Sequence, residues 1–324
     1  MNNEKILTGF IKCLKIGNSF LESISSASPK EDSVKRYELV DKKHRHVYEK
    51  EVGTDNVFEA LTKYSITSEN GKDSFVLKSH ALDDNFKLMV VAEGKGFVDG
   101  ENGIKRSTSK CVTDEIIDWF DNLSMDTLER FDTAKFSKGL NKRMAKLHAK
   151  FKSLKGNHGV KAILALVGKD YTYLVNVGDL RCYIEKDGEI GQFNEEDSKL
   201  WRDYREGYFW DKEEFRFRKV KNRGVSKIGV NKPGFQSTYV IDNCSYDRIY
   251  LFSRGVIDCI SEDKLFLINE RVDASRVVEE IVKQSTDGKK EYMSYYEGDY
   301  RDLNSVVHGY KDATACVYVK QKKK

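Results

Sequence analysis

Short apolar or alternating segments dominate the sequence from about residue 57 onward. They are rich in Val, Ile, Tyr and Phe, which is typical of β-strands. The predicted strands are 74–77, 86–92, 162–167, 171–177, 182–184, 237–241, 248–252 and 313–319. The second and third of these are separated by a long stretch with helical rather than alternating periodicity, so the pattern predicts both kinds of element.

Helical spacing of apolar residues predicts helices at 114–131, 140–154 and 272–283. The strands 162–167 and 171–177 are joined by only Gly168, Lys169 and Asp170, which favours a β-hairpin. Helices and hairpins are therefore segregated along the chain instead of alternating regularly. This order predicts an α+β fold with antiparallel sheets.

The N-terminal part has a different pattern of apolar and polar residues. Residues 1–24 place Ile6, Phe10, Leu14 and Leu21 on one helical stripe, and the segment 22–36 is rich in serine. We therefore expect an N-terminal helical extension and linker over 1–56, a folded domain over 57–320, and a basic tail over 321–324. A structural or assembly role carried by 1–56 would be lost on deleting those residues while the core stays folded.

Composition narrows the classes of function. The chain has 324 residues, with 56 Lys+Arg against 52 Asp+Glu and a formal charge of +4, so it is not a disordered polyelectrolyte. No window is apolar enough for a signal peptide or a membrane span, and the six cysteines lack zinc spacing. We expect a cytoplasmic protein with free thiols and no membrane partner. The basic runs 216–223 and 320–324 are interpreted as solvated surface, so no nucleic-acid partner is expected.

Common phosphate-binding and nucleophile motifs are absent from the sequence: neither Gly-x-x-x-x-Gly-Lys-Ser/Thr nor Gly-x-Ser-x-Gly occurs. By itself the Gly-rich run 93–96, Glu-Gly-Lys-Gly, indicates only a tight turn after a strand. Four segments taken in order are more specific. LMVVAEGKGFVDGENG (88–103), GVKAILALVGKDYTYLVNVGDLRCYIEKDGEIGQFNEED (159–197), RIYLFSRGVIDCISEDKL (248–265) and GYKDATACVYV (309–319) together resemble the protein phosphatase type 2C family over about residues 57–320.

The resemblance implies a four-layer α-β-β-α sandwich of two antiparallel sheets flanked by helices. It also implies a dinuclear Mg or Mn site between the sheets, where activated water attacks a phosphoserine or phosphothreonine. Such ions select hard oxygen ligands, which carboxylates supply.

Compared residue by residue, several positions of the family's site carry a different type of side chain in this sequence. The Asp that bridges both metals falls on Glu93, with Gly94 supplying a carbonyl. Two further metal carboxylates fall on Arg254 and Lys311. Ser68 falls at the position of the family's phosphate-holding Arg, and Lys72 falls at the position of the Glu in the same segment. The matched positions that remain acidic are Asp73, Asp179, Asp258 and Asp312.

The two inverted charges oppose binding of a divalent ion. Unit charges about 4 Å apart interact by roughly 4 kcal/mol at an effective dielectric constant of about 20, so each inversion replaces an attraction by a repulsion of that order. We therefore expect no metal cofactor and no catalytic residue. A shift of the alignment by one residue would instead return Asp258 or Asp312 to the site.

Two interpretations of the altered cleft remain open. In one, Arg254 and Lys311 pair with Glu93, Asp73, Asp179 and Asp258, and the cleft is neutralised internally. In the other, the same cations, with Lys72 and Lys95 nearby, bind an anion directly.

The hypothesis from sequence is a pseudophosphatase that binds a phosphoprotein or regulates a kinase or an active phosphatase. The alternative is a Mg/Mn-dependent protein serine/threonine phosphatase with an altered metal site built from Asp73, Glu93, Gly94, Asp179 and Asp258.

Overall fold

The computed structural model describes residues 34–41, 46–53, 58–65, 73–99, 105–154, 156, 158–195, 197, 227–257, 260, 262–273, 276–287 and 313–320. Its strands are β1 Val34–Asp41, β2 His46–Gly53, β3 Phe58–Ser65, β4 Ser74–Ser79, β5 Lys87–Lys95, β6 Phe97–Asp99, β7 Lys105–Ser107, β8 Gly159–Val167, β9 Tyr171–Val177, β10 Arg181–Lys186, β11 Glu189–Gln192, β12 Ser237–Asp242, β13 Arg248–Phe252 and β14 Ala313–Val319. Its helices are α1 Thr108–Asp121, α2 Met125–Glu129, α3 Thr133–Ser153, α4 Arg254–Ile257, α5 Glu262–Arg271 and α6 Val277–Asp287, with a 3₁₀ turn at Asn243–Ser245.

The strands form two antiparallel sheets that lie face to face. The larger has the order β1-β2-β3-β14-β13-β10-β11, the smaller has the order β12-β9-β8-β5-β4, and β6 pairs with β7 separately. Apolar side chains of both sheets, including Met89, Ile163, Leu251 and Cys316, fill the space between them. The predicted α+β fold is confirmed.

Helices cover the outer face of each sheet. Buried residues of α1 and α3, such as Ile116 and Met144, pack on the smaller sheet together with Val90 and Leu164. Residues of α4, α5 and α6 pack on the larger sheet around Phe252. The arrangement is the predicted four-layer α-β-β-α sandwich, because each sheet buries one face against its partner and the other beneath helices.

The predicted strands are present, and several end where the pattern placed them. Strands 171–177, 248–252 and 313–319 coincide with β9, β13 and β14. In the predicted hairpin Val167 pairs with Thr172 and the N–H of Gly168 donates to the carbonyl of Tyr171 at 2.8 Å. The hairpin is therefore confirmed.

The helix boundaries differ from those predicted. Helix α1 begins at Thr108, not at residue 114, because the Ser107 side chain accepts from the N–H of Lys110 and caps the helix. The predicted helix 114–131 is divided, since Ser124 caps a second short helix, α2. Helix α6 begins at Val277, and α5 lies before it.

Strands β1 and β2 correct the expectation of a linker. Both lie within 1–56, and β2 pairs with β3 along seven residue pairs, so a division at residue 57 cuts through the larger sheet. Strands β1 and β2 pair as a hairpin, and the Nε of Arg36 lies 2.7 Å from Oε1 of Glu51 across it. Charged residues are common on strands near a sheet edge, and here they hid the strand pattern. The predicted helix over 1–24 lies outside the described residues.

Candidate functional site

One end of the space between the sheets gathers the charged residues that the sequence singled out. Strand β5 turns Met89 and Val91 toward the opposite sheet, and the two-residue period continues that face through Glu93 and Lys95. Asp73 immediately precedes β4, and Asp179 follows β9 after Gly178, whose φ is +97°. Arg254 begins α4, and one residue separates it from the end of β13. The loops and strand ends of both sheets thus meet in one cleft.

Asp179 is the centre of a buried ionic cluster. Its Oδ2 lies 2.6 Å from Nη1 of Arg254, and its Oδ1 lies 2.7 Å from Nζ of Lys161. The exposed fractions of these side chains are only 3% for Asp179, 6% for Arg254 and 8% for Lys161. A carboxylate this deeply buried needs such partners, because desolvation alone would strongly disfavour its charge.

Glu93 joins the same cluster from β5. Its Oε1 lies 3.3 Å from Nζ of Lys161, and the backbone N–H of Arg254 donates a long hydrogen bond of 3.4 Å to its Oε2. Glu93 and Lys161 are directly paired across β5 and β8. Lys161 therefore bridges two carboxylates that belong to different strand ends.

The electrostatic balance at Lys161 favours its charged form. Burial by itself lowers the pKa of this lysine, but the neighbouring Glu93 and Asp179 carboxylates outweigh burial and raise the pKa to about 12. Lys161 is therefore a permanent cation at neutral pH and neutralises part of the acidic charge of the cleft.

Asp73 and Gly94 have structural partners of their own. The Oγ1 of Thr314 donates to Oδ2 of Asp73 at 3.1 Å, and the backbone N–H of Thr314 donates to Ser253 Oγ at 2.9 Å. A Cβ on Gly94 would lie 2.7 Å from the backbone nitrogen of Ser109, so glycine lets the start of α1 approach the end of β5. These contacts hold the rim of the cleft together.

The structure brings together part of the predicted site. Asp73, Glu93, Gly94, Asp179 and Arg254 lie at the same end of the inter-sheet space. The remaining five predicted positions, Ser68, Lys72, Asp258, Lys311 and Asp312, lie outside the described residues.

Sequence reasoning missed two lysines of the cleft. Lys161 lies in β8, every residue of which is buried, and a lone lysine in an apolar strand was the available signal. Its role depends on the register that places it opposite Glu93. Lys227 is the other, and it comes from a segment joined to β8 through reciprocal hydrogen bonds between Ile228 and Val160 of 2.9 and 3.0 Å.

The donors in the described part of the chain do not fit a dinuclear Mg or Mn centre. Such a centre needs several carboxylates whose oxygens face the ions. Among the described residues, no group of three or more His, Cys, Asp or Glu is placed to hold a metal ion. Both oxygens of Asp179 already face cationic nitrogens, and Glu93 shares one of these cations.

Comparison with known proteins identifies the fold. No family model and no curated protein matches the sequence. Among solved structures, a bacterial serine phosphatase has a TM-score of 0.61 and 16% identity over 91% of this chain and 100% of that one. The Staphylococcus aureus serine/threonine phosphatase Stp1 has a TM-score of 0.60 and 14% identity, covering 93% of this chain and all of the other.

A third neighbour contains metal. The catalytic domain of the serine/threonine phosphatase PstP, in complex with two manganese ions, has a TM-score of 0.57 and 16% identity, covering 82% of this chain and 98% of that chain. These neighbours confirm the phosphatase 2C fold that the sequence resembles. No described helix is long and apolar enough to cross a bilayer.

Proposed function

We propose that this protein is a pseudophosphatase: a cytoplasmic protein of phosphatase 2C fold that binds phosphorylated proteins, or a kinase or phosphatase acting on them, without hydrolysing phosphate esters. The observation that carries the proposal is the pair of cations on Asp179, with Arg254 Nη1 at 2.6 Å and Lys161 Nζ at 2.7 Å. In this arrangement fixed side-chain cations neutralise the carboxylates of the cleft.

Charge and burial both support the absence of a metal. A divalent ion placed beside Asp179 would lie within a few ångströms of two cationic nitrogens, and such repulsions amount to several kcal/mol each at an effective dielectric constant of about 20. The guanidinium of Arg254 cannot lose its proton to relieve this repulsion. The pKa of about 12 at Lys161 means that its ammonium also stays charged.

An active metal-dependent phosphatase is the second candidate. It is favoured by one observation: Glu93 and Asp179 are both acidic and lie within 3.3 Å of the same ammonium group, so moving Lys161 aside would expose two adjacent carboxylates. Asp73 would be the third ligand, but its Oδ2 accepts from Thr314. Mg or Mn would supply an activated water in that case.

Calorimetric titration with Mn²⁺ and with a phosphoserine peptide, together with hydrolysis of para-nitrophenyl phosphate, separates the two candidates. We expect the intact protein to bind the phosphopeptide and to show neither Mn²⁺ binding nor Mn²⁺-dependent hydrolysis. Tight Mn²⁺ binding, or hydrolysis that is lost in Glu93→Ala, would refute the pseudophosphatase proposal.

A charge-reversal variant sharpens this experiment. Arg254→Asp replaces the guanidinium at Asp179 by a carboxylate, so it should acquire Mn²⁺ affinity, seen as a rise in melting temperature with Mn²⁺ concentration. Lys78→Asp is the matched control, since Lys78 pairs with Asp121 at 2.6 Å on the surface. That control should remain insensitive to Mn²⁺.

A further inference from the structure

Beside the neutralised cluster lies a second group of cations. Lys227 is half-buried, and Lys95 is exposed on β5. Within the described part of the chain, neither lysine has a carboxylate at salt-bridge distance, in contrast to Lys161. The cleft therefore contains positive charge that its own described acids do not pair.

The backbone fixes where Lys227 lies. Its N–H donates to Oδ1 of Asn231 at 2.9 Å, and its carbonyl accepts from the N–H groups of Val230, Asn231 and Lys232 at 3.2 Å each. The adjacent Ile228 is bonded to Val160 of β8. Lys227 is thus held on a tight turn against the sheet.

The side chain of Lys227 crosses β8 at a glycine. A Cβ on Gly159 would lie 3.2 Å from Lys227 Cδ, so the missing side chain makes room for the lysine stem. Gly159 pairs with Lys95 across the sheet, and Lys161 lies two residues further along the same face. Lys95 and Lys161 therefore lie on one face of the sheet, and the stem of Lys227 lies against Gly159 beside them.

This crowding disfavours the charge on Lys227. Burial, followed by the positive charge of Lys161, lowers the pKa of Lys227, and Lys95 adds to the effect, while Glu93 and Asp179 act in the opposite direction. An anion at this point would relieve the repulsion, because oxyanions form strong charge-assisted hydrogen bonds with ammonium groups.

An apolar side chain borders the same point. Val230 is 44% exposed, and its Cγ2 would lie 2.7 Å from a Cβ on Gly159. Cations with an adjoining apolar surface fit a phosphate group attached to a polypeptide, whose neighbouring side chain can cover the valine.

We propose that Lys227 and Lys95 form a binding site for the phosphate monoester of a phosphorylated polypeptide, with Val230 contacting the residue next to the phosphorylated one. The site rests on the proposed function and names the groups that would recognise its ligand. The phosphate is bound at the mouth of the cleft, in front of the pair formed by Lys161 and Asp179. No bond of the phosphate is broken there.

The test measures affinities of the full-length protein for a phosphoserine peptide, its unphosphorylated form and inorganic phosphate, by fluorescence anisotropy and calorimetry at low ionic strength. Lys227→Met keeps the apolar stem over Gly159 and removes the charge, so phosphopeptide affinity should fall about tenfold or more. Lys227→Arg should stay within about threefold of wild type. Lys186→Met is the matched control, because Lys186 pairs with Asp247 at the other end of β10, and it should change nothing.

Further measurements distinguish binding of the phosphate group from binding of the peptide, and they include a variant that does not disturb the core. The affinity for inorganic phosphate should fall in the same variants as the affinity for the phosphopeptide. Val230→Asp should lower the affinity for the peptide and leave the affinity for inorganic phosphate unchanged. Lys95 is exposed, so Lys95→Met tests the site without disturbing the core, and we expect a loss of about threefold.

Equal affinities of wild type, Lys227→Met and Lys95→Met, or equal binding of the unphosphorylated peptide, would overturn this inference alone. Phosphate binding that is absent at millimolar concentration would overturn it as well. Mn²⁺-dependent hydrolysis would overturn the proposed function instead, so the two failures are distinguishable.

Discussion

Breaking the buried ionic pair between Arg254 and Asp179 should strongly destabilise the fold, and a double-mutant cycle measures the coupling between the two charges. The two side chains are 6% and 3% exposed, and their charged atoms are 2.6 Å apart. Charges about 4 Å apart attract by roughly 4 kcal/mol at an effective dielectric constant of about 20, while removing one partner of a buried pair costs about 3–5 kcal/mol. Arg254→Met should therefore lower the free energy of unfolding by about 3–5 kcal/mol.

The second single variant and the double variant complete the cycle. Asp179→Asn leaves two buried cations with less negative charge nearby, so we expect the free energy of unfolding to fall by about 3 kcal/mol. In the double variant the two losses should not add: a coupling free energy of about 2–3 kcal/mol is expected, since the second change removes a charge that the first left poorly compensated.

Denaturation in urea, followed by circular dichroism and by tryptophan fluorescence, gives the free energies, and equal slopes with denaturant make them comparable. The matched control is the exposed pair of Lys78 and Asp121, whose side chains are 33% and 36% exposed at 2.6 Å. Its cycle, Lys78→Met with Asp121→Asn, should give less than about 1 kcal/mol. A coupling below about 0.5 kcal/mol for Arg254 and Asp179 would refute the reasoning that these charges hold each other in the cleft.

Three further predictions concern Gly94, Lys161 and Cys316. Gly94→Ala should lose about 1–3 kcal/mol of stability in urea denaturation, because its Cβ would lie 2.7 Å from the backbone nitrogen of Ser109. Gly191→Ala, with nothing within 4 Å of the added Cβ, is the matched control, and equal losses in the two variants would count against the close approach. Lys161 has its pKa raised from 10.5 to about 12 in the folded state, because its carboxylate neighbours outweigh burial. This shift adds roughly 2 kcal/mol of stability. The added stability is present in full below about pH 10.5 and is lost as the pH rises toward 12. The difference in unfolding free energy between wild type and Lys161→Met should shrink by that amount across this window, and a flat difference would contradict it. Burial raises the pKa of the Cys316 thiol well above its ordinary value, so iodoacetamide should modify this residue only in denaturant, as mass spectrometry of the digested protein can show.

The alternation of apolar residues was sufficient to predict most of the strands. Strands β9, β13 and β14 match their predicted limits because each is a short segment rich in apolar and aromatic residues between polar residues or glycine. Strands β1 and β2 were missed for the opposite reason. Charged residues are interspersed along both strands, and Arg36 pairs with Glu51 across the hairpin, so the sequence there looks like solvated surface.

Of the ionic cluster in the candidate site, the sequence supplied two acids and one cation. Glu93, Asp179 and Arg254 were found by the order of the segments in which they lie, and that order also indicated the fold. What each carboxylate would contact stayed open, since pairing within the cleft and capture of an external anion were both compatible with the residues.

Tertiary structure decided the partners. Strand register placed Lys161 of β8 opposite Glu93, and the packing of two sheets brought Asp179 between Lys161 and Arg254. The bridge between Ile228 and Val160 placed Lys227 at Gly159. A single sequence determines which residues carry charge and which elements they occupy. Only the register and stacking of the strands determine which opposite charges meet, because those residues are far apart along the chain and adjacent only in the folded sheets.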